Sequence, residues 1–298
     1  MRMNEKMLAY SEQVVDARVS LHAHPKAVAQ HSLGAVDSLL HPLAVLIRQV
    51  LTRSGRMDLN LILIDDEENI LQALHAGIEL HSLYYSGAAL SKELLQKLPA
   101  NINVYEVARR TCKKIFENDK VTRVFAIAHT PVMPGLDSLL DIQNDIVVLE
   151  DLTISGNIGA IVRTSLAFGA GGIILLNAEP IDIYDRRLIR ASRGHVFSLP
   201  ILAATTEEFM CFCAENGLPI LVMESQARLT VEDAATLPRR LVIALGSEKN
   251  GCSQALKDAA TIQVQIPIHS RVESLNVSTA AGIMLYKRLW FNHPQAGK

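Results

Sequence analysis

The spacing of apolar and polar positions changes along this chain, and the changes divide it. Residues 1–35 have the mixed pattern of an amphipathic helical extension, and 38–52 predict a further helix. Leu59 to Ile64 is a short apolar run that ends in Asp65-Asp66-Glu67-Glu68. It predicts a strand followed by a helix N-terminus, where the helix dipole favours acids. That helix passes through Ile70, Leu71, Leu74 and Ala76 and stops at Gly77, a C-terminal cap. Strands at His81–Tyr85, Ile102–Tyr105 and Val124–Ala128, with a helix between Ser91 and Leu98, complete a small α/β unit over 36–130. Residues 131–144 hold Pro131, Pro134 and Gly135 and predict a linker.

From Asp145 the alternation becomes regular, and 145–298 form a second unit. Strands are predicted at Ile146–Leu149, Gly172–Leu176, Pro219–Met223, Leu241–Leu245 and Thr261–Ile266. Helices are predicted at Ile158–Phe168, Thr206–Asn216, Ser253–Ala259 and Ser274–Trp290. Apolar strands separated by helices mean a mostly parallel sheet covered on both faces. The last strand should end near Pro267, which cannot donate a ladder hydrogen bond. A polar loop then leads to a buried helix of small residues, with Ser274 as its expected N-cap.

Composition narrows the classes of function. Hydrophobic residues are 49% of 298, enough for a large core, and aromatics are only 5%, which disfavours recognition of single strands by base stacking. The net charge of −2 makes any basic surface local. Cys112, Cys211, Cys213 and Cys252 have no framework or zinc spacing and read as reduced thiols of a cytoplasmic protein. His22-x-His24 lacks partners, so no metal is expected. The start has no apolar signal region, and Leu39–Leu51 is too short and polar to span a membrane.

Four stretches carry candidate chemistry. Ser155-Gly156-Asn157-Ile158-Gly159 follows a strand and opens a helix, with Asn157 as its expected cap and Arg163 on a narrow polar stripe. Leu245-Gly246-Ser247-Glu248-Lys249-Asn250-Gly251 follows the most apolar strand, at the end where open α/β sheets bind ligands. The third is Ile266 to Ile283. The fourth packs Arg186, Arg187, Arg190 and Arg193 into eight positions, which reads as a phosphate-binding surface or as an intrachain salt-bridge network. A further basic cluster, Arg109, Arg110, Lys113 and Lys114, reads as a solvated helix face, with phosphate contact as the lesser reading. The dinucleotide fingerprint is absent, because Gly169-Ala170-Gly171-Gly172 precedes a strand rather than following one, and that argues against an oxidoreductase.

In order, Asn157-x-Gly159-Ala160-Ile161-x-Arg163-Thr164, Leu245-Gly246-Ser247-Glu248-x-x-Gly251 and Ile266-Pro267 with Glu273-Ser274-Leu275-Asn276-Val277-Ser278 resemble the three motifs of the SpoU/TrmH-type SPOUT RNA ribose methyltransferases. Asn157 to Leu166 and Asp185 to Gly194 are most similar to the thiostrepton/nosiheptide-resistance rRNA methyltransferases, and Leu63-Ile64-Asp65-Asp66 and Ala76-Gly77-Ile78-Glu79 match more loosely. The resemblance implies a trefoil-knotted domain, a homodimer, and S-adenosylmethionine held by backbone around Leu245, Gly246, Ile266, Ile268 and Leu275. It implies Arg163 as the catalytic arginine acting across the dimer, with Asn157, Glu248, Ser274 and Asn276 shaping the site. RNA contact would fall to Arg193, alongside Arg186, Arg187, Arg190, Arg109 and Arg110. The implied target is a ribose 2′-hydroxyl of large-subunit (23S) rRNA, with an adenosine of the thiopeptide-binding region as the specific expectation. Another rRNA or a tRNA nucleotide, or a non-catalytic RNA-binding relative, are the alternatives. The acids in Phe116–Arg123 depart from the more basic stretch of the resistance enzymes.

Overall fold

The computed structural model describes residues 35–292, apart from positions 118, 239 and 248. The predicted extension and Glu248 therefore lie outside, or almost wholly outside, the described residues. Two helices, α1 (Pro42–Val50) and α2 (Arg53–Leu59), precede β1 (Leu61–Asp65), α3 (Glu67–His75), β2 (Leu80–Tyr85), α4 (Lys92–Lys97), β3 (Asn103–Glu106), α5 (Arg109–Ile115) and β4 (Val124–His129). The small sheet runs β1-β4-β2-β3, with β4 antiparallel to both neighbours and β2 parallel to β3. Val36, fully buried, bridges to Val107.

The second half holds β5 (Ile146–Glu150), α6 (Ser155–Ala167), β6 (Gly172–Leu176), α7 (Pro180–Ile183), α8 (Arg186–Ala191), β7 (Ile201–Ala204), α9 (Thr206–Glu215), β8 (Ile220–Met223), β9 (Leu229–Thr230), α10 (Val231–Ala235), β10 (Val242–Leu245), α11 (Gln254–Ala259), β11 (Ile262–Gln265) and α12 (Val277–Asn292). The large sheet runs β7-β6-β5-β10-β8-β11-β9, and every pairing in it is parallel. β5, β6 and β10 are buried along their whole length, which explains their unbroken apolar runs. Two strands escaped the sequence pattern. They are β7 and β9, and β9 is only two residues long.

The two sheets share a core. One apolar cluster contains Ile62, Ile64 and Ala126 of the small sheet together with Val147, Leu149 and Ile173 of the large one. Each buried aliphatic side chain stabilises the fold by about 1.5–3 kcal/mol relative to exposure. The predicted linker is packed as well, since Leu139, in a 3-10 turn at Leu136–Leu139, is fully buried in a second cluster with Ile146, Val148 and Ile174 of the large sheet.

Two polar devices fix the arrangement. Arg288 of α12 is buried and pairs with Asp145 at the start of β5, Nε donating to Oδ2 at 2.6 Å. Its other nitrogens donate to the carbonyls of Ala234, Leu237 and Pro238, so one guanidinium joins the last helix, β5 and the end of α10. The second device corrects the reading of Asp65 as a helix-dipole partner. Asp65 ends β1, is 1% exposed, and accepts from Arg186 and Arg190 of α8. Asp119 accepts from the same two arginines, at 3.1 and 3.2 Å. Asp66 makes no side-chain cap either. It accepts from Lys120 at 2.9 Å and from Thr122 Oγ1 at 3.1 Å, while Glu67 and Glu68 do occupy the first turn of α3.

Candidate functional site

Two of the motif stretches meet at the first turn of α6, and the remaining one lies at the end of β10, the strand next to β5. α6 begins at Ser155, so Asn157 lies inside the first turn and is not its cap as the sequence suggested. Asn157 Oδ1 instead accepts from Asn276 Nδ2 at 3.1 Å, across 119 positions of sequence. That bond brings the first and third motifs together. Asn276 does a second job, because its Oδ1 accepts from the amide and the hydroxyl of Ser278, at 2.9 and 2.6 Å. Asn276 is therefore the capping side chain at the start of α12. Ser274, the expected cap, is an exposed loop residue two positions earlier.

The second motif is a tight loop at the end of β10. Ser247 and Gly251 form a bridge, with the Gly251 amide donating to the Ser247 carbonyl at 2.9 Å. A Cβ on Gly246 would sit 1.9 Å from the Gly251 carbonyl carbon, so only glycine fits. The loop is anchored from behind by Glu150, a residue that motif reading missed. Its buried carboxylate, at the end of β5, accepts from the Ser253 amide at 2.6 Å. Burial, and Glu150 beside it, push the Cys252 thiol up to about 12, so Cys252 packs as a neutral thiol. The only advance signal for Glu150 was an acid ending an otherwise apolar strand.

The third motif is an open loop. Residues 266–276 have no regular structure, Ile268 is 37% exposed and Val272 48% exposed. Ile266 and Leu275 are half-buried, and Leu245, at the end of β10, is buried. Apolar side chains beside loop backbone suit a ligand with both an aromatic base and polar groups.

Arg163 lies two turns into α6, exposed, on the helix that carries Asn157. The helix is held from both sides. A Cβ on Gly159 would meet Ala191 Cβ of α8 at 2.5 Å, and one on Gly282 of α12 would meet Thr164 at 3.7 Å.

Residues 144–286 match the model of the SpoU rRNA Methylase family, and residues 33–142 match that of the Thiostrepton-resistance methylase, N terminus. The 23S rRNA (adenosine(1067)-2'-O)-methyltransferase of Streptomyces azureus is 35% identical over 258 residues, covering 85% of this chain and 96% of that protein. The chain belongs to the SpoU rRNA methylase family. The Streptomyces laurentii protein of the same name is 38% identical over 80% of this chain and 88% of its own. The crystal structure of an AdoMet-bound rRNA methyltransferase from Sinorhizobium meliloti superposes with a TM-score of 0.74 at 26% identity, covering 87% of this chain and 98% of that one.

Within this SpoU chain the arginines of the fourth stretch divide into two groups. Arg186 is 5% exposed, lies 4.5 Å over the Phe116 ring, and is spent on Asp65 and Asp119. Arg190 shares the same two partners. The salt-bridge reading therefore describes these two, because each lies on the face of α8 turned towards β1. Arg187 and Arg193 stay outside, with side chains 69% and 58% exposed and carboxylates no nearer than 3.9 and 3.7 Å among their ion pairs. Arg109 and Arg110 are exposed, and Arg109 donates to the Gly87 carbonyl at 3.2 Å. Among the described residues no group of three or more His, Cys, Asp or Glu could hold a metal, and no helix is long and apolar enough to cross a membrane.

Proposed function

We propose that this protein transfers a methyl group from S-adenosylmethionine to a ribose 2′-hydroxyl of 23S rRNA. The observation that carries the reading is the Asn157–Asn276 contact, which joins the first and third motifs at the foot of the helix bearing Arg163. The Gly246–Gly251 loop, closed too tightly for any side chain at 246, and the open 266–276 loop fit a cofactor held by backbone groups. Leu245, Gly246, Ile266, Ile268 and Leu275 would hold it, with Ser274 at its rim. S-adenosylmethionine supplies, when bound, a reactive methyl group on a sulfonium centre.

The chain's own residues then have two tasks. They must align the 2′-oxygen with the methyl group, and they must stabilise charge growing on that oxygen. An arginine stays protonated in proteins, so Arg163 serves as a clamp on the adjoining phosphate and the developing alkoxide, not as a proton acceptor. The proton leaves to that phosphate or to water.

The reading includes a homodimer, with Arg163 serving the partner's cofactor site. Support comes from exposed apolar side chains on the same segments as the motifs: Ile154 at 57%, Val272 at 48% and Tyr286 at 46%. It also includes a trefoil knot, for which the support is family membership and the return of the 266–276 loop to α6. RNA contact falls to Arg187, Arg193, Arg109 and Arg110 on the exposed surface, with the 36–130 half as the RNA-binding unit. The specific target is the adenosine matching position 1067, because both Streptomyces relatives are named for it.

The test is incubation with labelled S-adenosylmethionine and, in parallel, protein-free 23S rRNA and tRNA. Label in 23S rRNA is the expected result. Label in tRNA alone would overturn the substrate, and cofactor binding with no label in either RNA would overturn the reading of a free-RNA methyltransferase.

A further inference from the structure

A second polar site lies away from the three motifs, in the crevice between the two halves. We propose that this crevice binds a phosphate group of the RNA chain, so that the substrate backbone bridges both halves; this rests on the reading of the protein as an RNA methyltransferase. The crevice encloses 270 Å³ and is lined by Arg53 and Arg56 of α2 and by Arg186 and Arg187 of α8. Three aspartates share the lining, and Arg186 is committed to Asp65 and Asp119, so Arg53, Arg56 and Arg187 are the cations left to meet an anion.

The decisive residue is Arg56. It is 4% exposed, and its Nε has no hydrogen-bond partner. Its Nη2 donates to Asp185 at 3.0 Å, and its Nη1 only approaches the Leu51 carbonyl, at 3.4 Å. Arg56 lines the crevice with one close side-chain partner, Asp185, so its guanidinium keeps hydrogen-bonding capacity for an incoming acceptor. The fork of a guanidinium also matches phosphate oxygens.

The other charges leave the crevice able to accept an anion. Arg53 pairs with Asp182 at 3.0 Å, but both side chains are about half exposed, at 50% and 46%. Such surface pairs are weak and exchange readily for a better partner. Arg187 is 69% exposed and 3.9 Å from Asp119, so it can swing towards a ligand. Asp185 is held away from competition, since its Oδ1 accepts from the Arg187 amide at 2.8 Å while Oδ2 holds Arg56. Arg53 and Arg56 come from the first half and Arg187 from the second, so one phosphate would touch both.

The experiment measures binding of a protein-free 23S rRNA fragment across a salt series. It compares wild type, Arg53→Gln/Arg187→Gln, and Lys92→Gln as an exposed control outside the crevice. Both altered arginines are exposed, so the fold is kept, and melting temperature and S-adenosylmethionine binding verify that. Each lost phosphate contact should lower the slope of log K against log salt by about one. The double variant should therefore bind several-fold more weakly with a shallower slope, and Lys92→Gln should match wild type. A parallel titration with inorganic phosphate separates the sources. A rise in melting temperature for wild type only shows a site for free phosphate as well, and no rise assigns the site to the phosphodiester of RNA. Wild-type affinity and slope in the double variant, with methyl transfer intact in the wild type, would overturn the crevice alone. Absence of RNA binding and methyl transfer in the wild type would overturn the function on which it rests.

Discussion

Asn276 shows how one side chain can serve two levels of organisation. Its amide nitrogen ties the third motif to Asn157, and its oxygen caps α12 through Ser278. Losing an N-cap costs about 1 kcal/mol. Asn276→Ala should therefore lower the melting temperature by about 2–4 °C, given the size of the protein. Ser274→Ala should leave it unchanged, because the exposed Ser274 caps nothing. Thermal unfolding of the two variants checks this, and equal losses would return the cap to Ser274. The sequence pointed to a polar loop feeding a small-residue helix, but not to which residue capped it. Ser274 and Asn276 are both good caps by type, and only the backbone path of the 266–276 loop decides between them. For the same reason Glu150 was not legible: its partner, the Ser253 amide, is 103 positions away.

At the scale of elements, the apolar runs gave β5, β6, β8, β10 and β11 and the spacing gave α6, α9, α11 and α12, while the short α7, α8 and α10 left no such signature. What the pattern could not give was helix packing. The glycine of the first motif is a case in point. Gly159 faces α8 so closely that an added Cβ would sit 2.5 Å from Ala191 Cβ and 2.6 Å from its carbonyl carbon. Alanine favours a helix interior by about 1 kcal/mol over glycine. Overpacking costs about 1–3 kcal/mol, and here backbone must move, so the clash should win. Gly159→Ala is expected to lower the melting temperature by a few degrees, and it should weaken methyl transfer by tilting α6 and Arg163. An unchanged or raised melting temperature would mean that α6 and α8 can separate freely.

Across the whole molecule, the two halves meet through an apolar core and the network of Asp65, Asp119, Arg186 and Arg190. The arginine density in the sequence was plain, but its meaning split, because periodicity alone does not say which face of α8 is turned inward. Burial pushes the Asp65 carboxyl up to about 6, against the pull of Arg186 and Arg190, and its Oδ1 has no partner. The folded state therefore holds this proton more tightly than the unfolded chain, whose value is near 3.8. A group raised in this way contributes stability below the unfolded value and loses it as pH rises through the folded one. The shift corresponds to about 3 kcal/mol, to order of magnitude. Burial also acts upward on Asp119, but the Lys120 amide, Arg186 and Arg190 outweigh it and hold that carboxyl below its ordinary value. Its contribution has the opposite sign and fades on acidification. Denaturant unfolding of wild type and Asp65→Asn should thus diverge between pH 4 and 6, with the wild type losing stability relative to the variant as pH rises. Parallel curves would mean that Asp65 stays ionised throughout.

The most direct test of the central claim is single-nucleotide mapping of methylated 23S rRNA after reaction with S-adenosylmethionine, using wild type and Arg163→Ala. A ribose 2′-O-methyl group blocks attack on the adjoining phosphodiester, so alkali leaves a gap in the cleavage ladder. Wild type should leave one gap, at the adenosine matching position 1067. Arg163→Ala that still binds the cofactor should leave no gap, or react about a hundredfold or more slowly. Full methylation by Arg163→Ala, or a label with no alkali-resistant position, would contradict it.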